Sequence, residues 1–174
     1  MNPTLFPETA SSAVFSPCGA YRYRLDRRWD DGKCVAFLKL NPSTADAEVD
    51  DPTIRRCVGF AQRWGYGRLI VVNLFALRST DPRALARHTN PVGVENDYHI
   101  IDAMREAREC VCAWGCQQHL TTPKLKQRPE SVLNMIRAHA PTVCLGLRKD
   151  GAPRHPLMLG YGVERLLFHG RGQA

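Results

Sequence analysis

Two asparagines and one histidine stand where apolar runs give out, which makes them the residues best placed to do chemistry. Asn41 ends the run 34–40 and opens Asn41-Pro42-Ser43-Thr44, Asn73 interrupts the run 69–77, and His155 follows the run 142–147 after a short loop. An amide inside an apolar strand carries a donor and an acceptor that need partners, from a neighbouring loop or from a ligand. Asn-Pro is also a plain turn signal, and a loop histidine can be a simple surface residue. If the three runs are parallel strands, their carboxyl ends share one edge, where ligands bind in open α/β sheets. The chemistry on offer there is hydrogen-bond recognition beside an imidazole that titrates near neutral pH. The chain has no defensible Ser/His/Asp triad order, no G-x-x-x-x-G-K and no G-x-G-x-x-G.

Positioning these residues calls for an α/β fold. Residues 34–40 form an apolar strand broken only by Lys39, the pattern of a strand covered on both faces. Asp51 caps a helix that accepts Pro52 in its first turn and repeats Ile54, Cys57, Val58 and Ala61 at helical spacing before Gly65. Residues 69–75 are a second buried strand, and the strand–helix–strand order requires a right-handed crossover and a parallel pair. A polar arm at 78–94, with a short helix at 82–88, leads to a helix at 95–108 and a strand at 110–114. A basic stretch at 117–128 precedes a helix at 129–139 that Pro141 stops, and 142–147 is the last parallel strand. Segments 13–15 and 21–25 read as an antiparallel flap, and a short strand is expected within 163–168.

The expectation is one three-layer α/β/α domain over 1–174 with a mainly parallel four-stranded sheet. It divides into an N-terminal β flap (1–33), a core (34–157) and a C-terminal tail (158–174). The crevice at the carboxyl edge is then lined by Asn41, Ser43, Thr44, Asn73, Arg78, Gln117, Arg148, Lys149, Arg154 and His155.

Composition narrows the classes. At 174 residues and 44% hydrophobic content the chain can bury a core. No apolar run approaches the roughly 20 residues of a membrane span. No basic residue precedes Arg22, against a basic-headed signal peptide, so a cytoplasmic setting without a membrane partner is expected. The net charge of +7 comes largely from segments 22–28, 83–87, 124–128 and 148–154. It suits either a nucleic acid or nucleotide partner or a merely solvated basic face, and nothing points to a protein partner. Seven dispersed cysteines read as reduced thiols, since Cys110, Cys112 and Cys116 lack a C-x-x-C pair. The acidic run Asp46, Glu48, Asp50 and Asp51 leaves open a Mg²⁺-dependent phosphohydrolase or nuclease. Helix capping competes for the same carboxylates, and no metal or cofactor is assigned.

The motifs Leu40-Asn41-Pro42-Ser43-Thr44-Ala45-Asp46, Asp50-Asp51-Pro52-Thr53-Ile54-Arg55-Arg56-Cys57, Val72-Asn73-Leu74-Phe75-Ala76-Leu77-Arg78 and Arg154-His155-Pro156-Leu157 resemble a bacterial and phage family of unknown function, DUF1643. More remotely, the chain resembles the uracil-DNA glycosylase superfamily. Leu40-Asn41-Pro42 is similar to its first motif, Ile70-Val71-Val72-Asn73 to its base-reading strand, Ala113-Trp114-Gly115 to its third strand end, and His155-Pro156 to its last motif. That resemblance implies hydrolysis of an N-glycosidic bond in nucleic acid or a nucleotide. Asn41 would orient a water, His155 would donate a hydrogen bond to the departing base, and Asn73 would read a pyrimidine edge. Ser43-Thr44 and Leu157 depart from the superfamily pattern and weaken entry into duplex DNA. The alternative from a different class is a non-catalytic nucleic-acid or nucleotide-binding module using the same pocket.

Overall fold

The structure is a computed structural model, and it describes residues 10–170. The ends of the expected flap (1–9) and tail (171–174) lie outside the described residues. Among the described residues seven strands form one sheet: β1 (Ala10–Phe15), β2 (Arg22–Arg28), β3 (Cys34–Lys39), β4 (Arg68–Asn73), β5 (Cys110–Cys112), β6 (Thr142–Cys144) and β7 (Leu166–Leu167), in the order β1-β2-β4-β3-β5-β6-β7. The four central strands, β4-β3-β5-β6, are parallel, as the strand–helix–strand order requires. The expected four-stranded sheet is therefore the centre of a seven-stranded one.

The N-terminal segment is the largest correction. It does not lie apart as a flap, because β2 pairs antiparallel with β4, Leu25 opposite Val71, and completes the sheet. An uncovered β4 would present a row of unpaired backbone groups, which β2 satisfies. β1 pairs antiparallel with β2, as expected of segments 13–15 and 21–25, with a register shift between Val14 and Phe15. Tyr23 and Arg24 consecutively meet α3, through a stack on His99 and an ion pair with Asp102. At the other edge, β7 pairs antiparallel with β6.

Helices cover both faces. Among the described residues there are α1 (Pro52–Arg63), the short α2 (Ala84–Arg87), α3 (Asn96–Glu106) and α4 (Pro123–Ile136). Val35, Phe37, Leu69 and Val71 pack with Ile54, Cys57 and Phe60 of α1. Ala36, Leu38, Ile70 and Val72 pack on the opposite face with Ile100 and Met104 of α3 and Val132, Leu133 and Ile136 of α4. The start of α1 is set by Asp51, whose carboxylate accepts from the Ile54 N–H at 2.9 Å. Such a cap contributes about 1 kcal/mol, less than the roughly 1.5–3 kcal/mol of burying either Ile54 or Phe60. Burial seats the helix, and the cap decides where it begins.

Helix α4 starts six residues before the expected 129. Thr122 accepts from the Leu125 N–H at 3.3 Å and Pro123 occupies the first turn, so the cap-plus-proline signal belongs there. Pro129, taken from sequence as the first residue, is buried inside the helix, where it forgoes one backbone hydrogen bond. No helix among the described residues is long and apolar enough to cross a membrane.

Candidate functional site

Strand β3 delivers Lys39, Leu40 and Asn41 to the carboxyl edge of the sheet, and the ends of β5 and β6 open beside it. A cavity of about 340 Å³ lies there, walled by Lys39, Leu40, Asn41, Pro82, Trp114, Gly115, Cys116, His119, Arg148 and His155. None of these described wall residues is acidic.

The Asn41 side-chain nitrogen donates to the backbone carbonyls of Pro42, Leu77 and Ser79 at 3.1, 3.4 and 2.9 Å. Only an NH₂ group can face three carbonyls, so the Oδ1 atom is the end left for the cavity. The same bonds tie the β3 loop to the loop after β4. His155 reaches the wall because residue 115 is glycine: φ is +72°, and a Cβ there would stand 2.9 Å from the His155 Cβ. His155 Nδ1 accepts from the Leu157 N–H at 3.3 Å, capping a single 3₁₀ turn, Pro156–Met158. The ring hydrogen therefore sits on Nε2. Burial, reinforced by the Lys39 charge and opposed by Asp51, pulls the His155 pKa down to about 4. The imidazole is neutral at neutral pH and acts as a donor rather than a cation.

Asn73 is placed differently from the expectation. It pairs in register with Lys39, one strand over, on the sheet face that carries α1, and it is not part of the cavity wall. It is 1% exposed, and neither amide atom has a partner among the described residues. The carbonyl after it is held instead by Asn96, whose Nδ2 donates to the carbonyls of Asn73 and Leu74 at 2.9 and 3.2 Å. Arg128 Nε adds a bond to the Leu74 carbonyl at 2.8 Å.

The remaining expected residues divide among neighbouring hollows. Ser43, Thr44 and Arg78 line a separate depression of about 470 Å³, where Arg78 lies over the Phe15 ring. Gln117 and Arg148 line another, of about 260 Å³, which shares Arg148 and Cys116 with the main cavity. Lys149 and Arg154 are exposed on the β6 side and belong to none of these walls.

The acidic run is spent locally. Asp46 accepts from the N–H groups of Glu48 and Val49, Asp50 pairs with Arg27 at 2.8 Å, and Asp51 caps α1. Among the described residues no three His, Cys, Asp or Glu side chains are grouped to hold a metal. Five cysteines are buried; Cys116 lies half-buried on the cavity wall and Cys18 is exposed.

Sequence reasoning passed over Lys39 and His119. Lys39 is 8% exposed, and burial pushes its ammonium pKa down, with Arg22 adding repulsion against the pull of Cys57 and Asp51. Its signal was present as the one charge in the run 34–40. His119 carried none, since it sits in a polar stretch with no periodicity.

The mixed α/β sheet carries helices on both faces and a cavity at its parallel carboxyl edge, the position where ligands bind in open α/β folds. The chain belongs to the DUF1643 family of proteins of unknown function, whose profile matches residues 22–157 and so takes in every wall of that cavity. No curated protein and no solved structure matches it.

Proposed function

We propose that the cavity binds a base-bearing nucleotide and hydrolyses its N-glycosidic bond, in the manner of the uracil-DNA glycosylase superfamily that the chain remotely resembles. The observation that carries this reading is that Asn41 and His155, 114 positions apart by subtraction of their numbers, face one cavity with complementary polarity. Asn41 offers an acceptor held by backbone bonds, and His155 offers a neutral N–H donor. A departing base gains negative charge while the sugar gains positive charge. The Nε2–H meets the first; a water held by Asn41 Oδ1 adds to the sugar carbon as the carbon–nitrogen bond breaks, and its proton passes to the departing base anion. The four parallel strands between helical layers also support the likeness. Asn73 is not asked to read the base, because it lies outside the wall.

Leu157 stands where the superfamily's longer His-Pro loop carries serine, a departure that favours a nucleotide or an unpaired base over a flipped duplex base. The test is release of uracil, hypoxanthine and mismatched bases from single- and double-stranded DNA, and of bases from free nucleotides. His155→Asn, which keeps a capping side chain, and Asn41→Ala are the variants. Release from wild type and loss in both variants is expected; release unchanged in either removes that residue from the mechanism.

A second reading is favoured by the absence of any acidic side chain among the described wall residues. An asparagine cannot accept the proton of the attacking water, so the same pocket serves equally as a non-catalytic nucleotide-binding module. Binding that survives with no base released from any substrate selects it.

A further inference from the structure

The cavity holds a charge that its walls do not balance. Lys39 is buried at the end of the central strand, and no carboxylate among the described residues forms an ion pair with it. Asp51 is close enough to be felt, yet its carboxylate is committed to the Ile54 N–H. Burying an ammonium without an anionic partner is costly, so such a residue is retained where something else supplies the anion. Arg148 adds a second cation at the wall, answered in part by Asp150 at 3.4 Å, so the field inside is chiefly that of Lys39. A concave, low-dielectric cavity focuses that field on whatever enters. An ammonium is a compact charge with three donors, suited to tetrahedral oxygens.

We propose that Lys39 is the anchor for a phosphoryl group of the ligand, with Arg148 completing the oxyanion site at the rim of the cavity. The proposal rests on the nucleotide reading only for the remainder of the ligand; the anion site stands on the walls themselves. A nucleoside without phosphate then lacks the main anchor, and a free phosphate carries part of the affinity alone.

The test is calorimetric titration of the full chain with uridine 5′-monophosphate, uridine, inorganic phosphate and acetate. Wild type is expected to bind the monophosphate about tenfold or more tightly than uridine, and Lys39→Met to remove that preference. A preference that persists in Lys39→Met, or no preference in wild type, overturns the proposal. Acetate binding as tightly as phosphate, with the same dependence on Lys39, overturns the phosphoryl assignment in favour of a carboxylate. A readout that needs no variant is the lysine ε-carbon spectrum of isotopically labelled wild type. The buried lysine should move on phosphate addition with the calorimetric half-saturation, and a stationary resonance overturns the proposal. Base release plays no part in these readouts, so a protein that binds phosphate through Lys39 but frees no base keeps this site and loses the hydrolase reading.

Discussion

Two buried cations, one on β2 and one on β3, have opposite fates. Arg24 and Lys39 are each 8% exposed, and both sit in strands of the same sheet. Arg24 is surrounded by carboxylates: Asp26 at 2.7 Å, Glu106 at 2.8 Å and Asp102 at 2.9 Å, with Arg68 joining from β4. Burial alone would lower its pKa, but Asp26 and Glu106 outweigh that and raise it. Lys39 has no such ring, and its pKa falls. The first is a closed network that fastens the N-terminal strands to α3. The second faces a cavity. Equal burial with unequal compensation separates a residue that holds the fold from one left without an ion-pair partner among the described residues.

The comparison can be broken in stages. The largest expected effect is on turnover: in a base-release assay, His155→Asn and Asn41→Ala should each lower the rate by about 10²–10³, the usual loss for one oriented donor or acceptor in a preorganised site. Arg24→Met should come next, destabilising by about 3 kcal/mol in urea unfolding because Asp26, Asp102 and Glu106 lose their shared cation and only Arg68 remains to pair with Asp26 and Glu106. The counterpart, Lys39→Met, should leave stability within about 1 kcal/mol of wild type or raise it, since an uncompensated charge is removed. If Lys39→Met unfolds the protein as Arg24→Met does, the distinction between the two regions collapses.

The pH response sharpens the same contrast. His155 is held near a pKa of about 4, below the ordinary histidine value of 6.5. Between those pH values the unfolded chain binds a proton that the folded chain refuses, so stability falls as pH drops through the window. The slope should flatten in His155→Asn, and an imidazole resonance titrating near 4 in wild type should vanish with it. The smallest effect is expected for Asp51→Ala, about 1 kcal/mol from the lost cap. A small additional downward movement of the Lys39 and His155 pKa values should accompany it, because Asp51 supports the charged form of both.

Asn41 and His155 were legible in sequence because each follows an apolar run and so marks where a covered strand surfaces. The two line one cavity, while Ser43, Thr44 and Arg78 line a neighbouring depression. Asn73 was legible as an anomaly but not as a direction: it pairs in register with Lys39 on the α1 face, yet lies outside the cavity wall that Lys39 lines. Lys39 was read as an interruption in a strand, since a single sequence does not distinguish a charge that reaches water from one that does not. Pro129 misled because proline suits both the first turn of a helix and, less often, its interior.

What the chain determined by itself was local: which runs become strands, where Asp51 starts a helix, and which polar groups end up at strand tips. These follow from hydrophobic periodicity and from side chains bonding to their own neighbouring backbone. Compensation was decided only in three dimensions. Arg24 meets Asp102 across 78 positions of sequence, and Lys39 meets no comparable acid among the described residues. Coulomb energy depends on distance in space and on the water excluded around a charge, and neither quantity is written along the polymer.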